Sequence, residues 1–126
     1  MPDPAIEEFA NLIVRRVRDE AINNCDRILT TNAKSPIAKR WAEAAGDDGA
    51  KAISATIPDI VDQAIFALLD AIDHGQISLQ FVASNGTRVD LTEEGLGELA
   101  GWYMGSGGWR ASFSKERHVD DFGDLA

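Results

Sequence analysis

Between Thr56 and Gly75 the chain carries Ile57, Ile60, Val61, Ala64, Ile65, Leu68, Leu69 and Ile72, a pattern that fits one broad face of an α-helix. The face is wider than a coiled-coil seam, so other elements of the fold must cover it. Thr56 can cap this helix and Pro58 suits its first turn. Asp59 and Asp62 then lie near the positive end of the helix dipole. His74 and Gly75 stop it, with glycine at the usual left-handed position past a helix end.

A second helix is signalled at the N-terminus, over Pro4 to Leu29, with Asp3 as cap and Glu7 and Glu8 in or near the first turn. Ile6, Ala10, Ile13, Val17, Ala21, Cys25 and Ile28 form its apolar stripe. At 1.5 Å per residue it is roughly 39 Å long, enough to span the molecule or to project into a homodimer. Arg15, Arg16 and Arg18 fall on the opposite face with Asp19 and Glu20 close by. They read as a solvated face of weak i,i+4 pairs, Arg15–Asp19 and Arg16–Glu20, rather than as an anion-binding patch.

Thr30 to Pro36 is a polar connection. Ser35 and Pro36 then open a short helix, Ile37 to Ala45. Gly46-Asp47-Asp48-Gly49 is a turn, because Lys51-Ala52-Ile53 supplies none of the oxygen ligands that an EF-hand loop requires. A hairpin comes next, over about residues 77–91. Pairing Phe81 with Val89 and Leu79 with Leu91 keeps apolar residues on one face, which demands a three-residue Ser84-Asn85-Gly86 loop with Gly86 left-handed. A hairpin alone is marginal, so helices are expected to cover its Ile77–Leu79–Phe81 face. Thr92 is read as the cap of a helix running to Met104. The Gly105-Ser106-Gly107-Gly108 break and a short helix or turn from Trp109 to His118 complete the chain before the Val119–Phe122 tail. The expected fold is one α+β domain over residues 1–126, mostly helical.

The composition is that of a globular protein, 44% hydrophobic and 26% charged, and no continuous apolar run approaches the roughly 20 residues of a membrane helix. The net charge of −9 is spread along the chain, which disfavours direct nucleic-acid or membrane contact and favours a basic protein surface. A lone cysteine, Cys25, and no secretory signal make a cytoplasmic location the expectation.

Six of the eleven glycines lie between Gly95 and Gly108, and Trp102, Tyr103, Trp109, Phe113 and Phe122 lie in or just beyond that stretch. Gly97, Gly101 and Gly105 are four apart and would form a smooth helix face, either for close packing inside the fold or as a groove for a partner. The Gly105–Gly108 loop lacks the strand, helix and Lys-Ser/Thr pair of a phosphate loop. Trp109, Arg110, Phe113, Lys115, Arg117 and His118 make the one basic, aromatic segment of an acidic chain. With Trp102 and Tyr103, the residues Trp109, Arg110, Phe113, Arg117 and His118 are the candidate binding residues, since arginine and aromatic side chains dominate interface hot spots. The competing reading is that Trp109 and Phe113 anchor a terminal helix to the core.

Catalytic constellations are incomplete. Asp70 and His74, four apart with Asp73 nearby, have a spacing that can place two ligands on one metal, and His118 sits beside Asp120 and Asp121. His74 equally suits a helix C-terminus. Cys25 lies on an apolar stripe, and no nucleophile elbow surrounds Ser106, Ser112 or Ser114. The expectation is a small, acidic, non-enzymatic protein-binding domain without cofactor or metal, of which an inhibitor or immunity-type protein and a nucleic-acid mimic are concrete versions. The alternative is a small-molecule- or metal-binding, hydrolase-like enzyme using His118 with Asp120, or Asp70 with His74.

Overall fold

Asp3 accepts a hydrogen bond from the Ala5 amide at 2.7 Å and starts a helix that continues to Thr30. In this computed structural model, residues 3–30 and 35–118 are described. The helix is α-helical over Pro4–Leu12 (α1) and Asp19–Thr30 (α2), joined by a π-helical segment over Ile13–Arg18. Within that segment bonds reach back five residues, as from the Asp19 amide to the Val14 carbonyl. Each wider turn takes up an extra residue and rotates the helix beyond it. The stripe therefore holds at Ile6 and Ala10, then moves by one residue to Val14, Arg18 and Ile22, while Val17 is left 45% exposed. This takes Val17 off the expected apolar stripe, leaves Ala21, Cys25 and Ile28 half-buried, and carries Arg18 into the interior.

Ser35 caps α3 (Pro36–Ala45) through the Ala38 amide, and Gly46 ends it at φ 64°. The central helix α4 runs over Ala50–Asp73. It begins well before Thr56, whose hydroxyl donates to the Ile53 carbonyl, so Thr56 is not its cap and Pro58 lies inside the helix. Proline lacks the amide that would bond the carbonyl four residues back. That carbonyl, of Ser54, instead accepts from Arg117 Nη2 at 2.9 Å. A side chain from the far end of the described chain thus fills the gap left by Pro58.

Strands β1 (Gln80–Val82) and β2 (Arg88–Asp90) pair antiparallel with Phe81 opposite Val89, and the Leu91 amide donates to the Leu79 carbonyl. This is the register expected from the apolar face, with Gly86 at φ 87°. Glu8 of α1 fixes the loop, accepting from the Ser84 amide at 2.8 Å and hydroxyl at 2.6 Å. Phe81 packs edge-on against Phe9, with ring centroids 5.5 Å apart, but Ile77 and Leu79 remain exposed. The helices therefore cover only the Phe81 end of that face, contrary to expectation.

Asp90, not Thr92, caps α5 (Leu91–Glu94), and a turn through Gly95–Glu98 separates it from α6 (Leu99–Met104). Leu96 and Gly97 are both left-handed in that turn, so the three spaced glycines do not share a helix and form no glycine face. Asp73, at the end of α4, accepts from the Leu99 and Ala100 amides at 2.9 Å each and caps α6 from outside. The final helix, α7, is Trp109–Phe113.

The fold is thus α+β and mostly helical, with one hairpin. Its core joins Ile6, Phe9 and Val14 to Ile65, Leu69 and Ile72 of α4, Val89 of β2, Leu91 of α5, and Leu99, Tyr103 and Trp109 near the C-terminus.

Candidate functional site

At the centre of the molecule four polar side chains meet. Asp62 projects from the buried arc of α4, about three turns from the helix start rather than near its positive end. Its Oδ1 accepts from Arg18 Nε at 2.7 Å and from the Tyr103 hydroxyl at 2.6 Å. Its Oδ2 accepts from Arg110 Nη1 at 2.7 Å, and Arg18 Nη2 lies 3.4 Å away. Arg18, Asp62, Tyr103 and Arg110 are all buried. The Arg110 guanidinium carbon lies 5.9 Å from the Tyr103 ring centroid, and Arg110 Nη2 donates to the Met104 carbonyl.

The network extends toward the C-terminus. Arg18 Nη1 donates to Ser114 Oγ at 3.0 Å, and Arg18 Nη2 donates to the Arg117 carbonyl at 2.7 Å. Asp19, also buried, accepts from the Ser114 hydroxyl and from the Lys115 amide, each at 2.8 Å. Two arginines and two aspartates thus balance to zero charge, and they join the π segment, α2, α4, α6, α7 and the segment after it. Farther out, Arg117 makes paired contacts of 2.9 Å with both Asp26 carboxylate oxygens. Arg16 pairs with Glu20 on the solvated side, as the sequence suggests, but Arg18 and Asp19 do not belong to that face.

The electrostatics arise from these partners. Burial alone would raise the Asp62 carboxyl, but hydrogen bonds from Arg18 and Tyr103, the Arg18 charge and the Arg110 hydrogen bond outweigh it and hold it below the ordinary carboxylate range. Burial, reinforced by the bond to Asp62, pushes the Tyr103 phenol far above its usual value. Burial alone would lower the Arg18 pKa, but the hydrogen bond and charge of Asp62, together with Tyr103 and Asp19, outweigh it and raise it. The carboxylate is thus held ionised, the phenol neutral and Arg18 charged near neutrality.

A depressed carboxylate stabilises the fold above the unfolded-state value of about 3.9 and loses that contribution as pH falls toward its lower native value. Urea midpoints are therefore expected to hold from neutrality to about pH 4 and to fall below it. A midpoint unchanged at pH 3 would contradict the Asp62 assignment.

The candidate binding residues are brought into one region, where most of them also make contacts within the fold. Trp109 is buried edge-on to Phe9 at 6.2 Å, while Trp102 and Phe113 are half-buried against the core. Tyr103 and Arg110 belong to the Asp62 network, Arg117 to Asp26 and Ser54, and His118 lies half-buried just beyond them. His74 is exposed, with Nδ1 2.8 Å from the Asp70 carbonyl and 3.4 Å from its carboxylate; both raise its pKa, the backbone contact most. That is an end-of-helix contact. Asp73 is committed to α6. No group of three or more His, Cys, Asp or Glu side chains able to hold a metal occurs among the described residues. Asp120, Asp121 and Phe122 lie outside the described residues.

Besides a polar hollow along α2 lined by Glu20, Asn23, Asp26 and Arg27, two concave surfaces have mainly apolar walls. One is an open cleft of about 650 Å³ between the start of α1 and the α6–α7 region, walled by Trp102, Trp109, Ile6 and Leu96, with Gly101 and Asp3 among its other lining residues. The other, of about 330 Å³, is wholly apolar in character and lies between α2, α3 and α4, lined by Cys25, Trp41, Ala44, Ile53, Ile57, Ile60 and Val61. There burial raises the Cys25 thiol pKa, with the Asp26 charge adding to it, the opposite of an activated nucleophile.

No family model, curated protein or solved structure matches this chain.

Arg18, Asp19 and Asp62 are the central residues that periodicity misses. One signal for Asp62 is present in the sequence: it falls among Pro58, Ile65 and Leu69 on a single helical arc, where an acid needs a partner. Arg18 carries no such signal, because a π segment leaves no mark in a count of threes and fours.

Proposed function

We propose that this chain is a non-enzymatic protein-binding domain whose interface is the outward face of α4 together with the apolar cleft beside it. The observation that carries the reading is Ile60, which lines that cleft and yet is 64% exposed. Phe66 and Leu68 are exposed on the same helix, and Ala64, Ala67 and Ala71 extend the surface beyond Ile60 at helical spacing. By length and composition α4 is apolar enough to cross a membrane, with mean hydropathy 1.5 over its best window, of which only 28% is buried. Asp62 sits within the same helix and pairs with Arg18 of the π segment and Arg110 of α7, a costly cluster to bring into lipid.

Charge selects the partner. From Ala52 to Asp73 the chain has no lysine or arginine, and of its four aspartates Asp59 and Asp70 lie outside the buried Asp62 network and the Asp73 cap. The complementary surface is an apolar ridge bordered by basic side chains, on a protein rather than on nucleic acid. The reading keeps the expected binding of another protein but moves the interface away from Trp109–His118, whose bulky side chains are largely engaged inside the fold.

The test is Ile60→Asp, at a side chain whose exposure leaves the fold intact. Affinity capture with the wild-type chain is expected to retain a basic protein that binds more weakly in high salt and is lost with Ile60→Asp. Sedimentation and flotation with neutral and anionic vesicles run alongside. Self-association abolished by the same substitution would replace the reading with a homodimer, and vesicle binding would replace it with a membrane surface.

A further inference from the structure

The geometry points to a binding site for a small molecule with a flat ring and a cationic amine in the cleft between the start of α1 and the α6–α7 region, separate from the α4 face. Gly101 is the decisive residue. It lies inside α6, where glycine is the poorest residue short of proline. Every other described glycine has a structural reason to lack a side chain. Gly46, Gly75, Gly86, Gly97 and Gly107 have positive φ, and a Cβ at Gly49, Gly95, Gly105 or Gly108 would come within 3.0 Å of the chain's own atoms. Gly101 has neither: its φ is not positive and a Cβ there would meet nothing within 4 Å. Gly101 is exposed, and packing within the fold does not call for glycine at this position. A ligand approaching the backbone there would.

The surroundings of that space select the ligand. Trp102 and Trp109 supply aromatic wall, their ring centroids 6.3 Å apart and planes inclined at 44°, and Ile6 adds apolar surface. Among the described residues, the charged side chains lining the cleft are Asp3 and Glu94, both acids, with no lysine or arginine. Indole faces attract cations through their quadrupole, and two carboxylates repel anions. The volume of about 650 Å³ is within the range of small-molecule sites. A flat cationic ligand can lie along the indoles with its amine toward the carboxylates, its edge over Gly101.

Tryptamine is a suitable probe, with indole-3-acetate as its anionic counterpart and butylamine as a cation without a ring. Titrations of the full chain, followed by amide and indole NMR resonances, are expected to show saturable tryptamine binding that moves the Gly101 amide and the Trp102 indole signal. Indole-3-acetate and butylamine are expected to bind at least about tenfold more weakly, since each lacks half of the recognition. Gly101→Ala should raise the thermal midpoint, because alanine favours the helix, yet weaken tryptamine; Gly101→Leu, filling more of the cleft, should abolish binding at an undiminished midpoint. Equal binding of indole-3-acetate, tryptamine binding unaffected by Gly101→Leu in the folded protein, or no saturable binding of tryptamine would each overturn the assignment.

Discussion

Asp62→Ala is expected to destabilise the protein by about 3–5 kcal/mol, the range seen when one partner of a buried ion pair is removed. The substitution leaves Arg18 and Arg110 charged and buried, and takes from Tyr103 the acceptor of its hydroxyl proton. Against a total stability of roughly 5–15 kcal/mol for a typical domain, such a loss leaves little folded protein at 37 °C. Asp62→Asn separates charge from space. Asparagine keeps the volume and can still accept from Tyr103, but it cannot neutralise two guanidinium groups. If uncompensated charge dominates, the two variants lose similar stability in urea unfolding; if the cavity dominates, Asp62→Asn stays near the wild type. Salt provides a further control, because screening acts on exposed charges and leaves a buried site largely untouched. High salt should therefore rescue neither variant, and recovery of either by salt would place the network nearer to solvent than Arg18 and Asp62 now stand.

The same residues mark where the sequence stops being readable. The hairpin register could be read because sliding the pairing of Phe81 from Val89 to Asp90 would mix apolar and charged residues on one face, and Gly86 suits the left-handed position in the loop. Ser35 and Gly46, ending α3 on either side, were legible for equally local reasons. The start of α4 was not. Pro58 reads as a first-turn residue because an interior proline normally breaks a helix, and no local pattern indicates that Arg117 will bond the Ser54 carbonyl that Pro58 leaves free. The Thr92–Met104 helix failed likewise, since Asp73 makes a separate start at Leu99 favourable from 26 residues away. Of the candidate site, the cleft-lining Trp102 and Trp109 were legible as a cluster; their burial was not, because it depends on Phe9 and Ile6 arriving from the opposite end of the chain.

Trp109→Ala is expected to be nearly as damaging as Asp62→Ala, about 3–5 kcal/mol for an aromatic-to-alanine change in a packed core. Trp109 is 9% exposed and joins α7 to α1 through its edge-on contact with Phe9 and its tilted contact with Trp102. Its removal frees α7, and Arg110 is the next residue along that helix, so the Asp62 network loosens with the cavity. Trp109→Phe, retaining an aromatic edge toward Phe9, should lose markedly less, and thermal and urea unfolding of the pair measures the difference. Equal stability of Trp109→Ala and wild type would show that the ring contributes surface rather than core. The comparison also decides how binding experiments are read. A partner lost with Trp109→Ala reports on a fold that has come apart, whereas a partner lost with Ile60→Asp, at a side chain facing solvent, reports on an interface. Only a variant at least as stable as the wild type can locate the surface this domain presents.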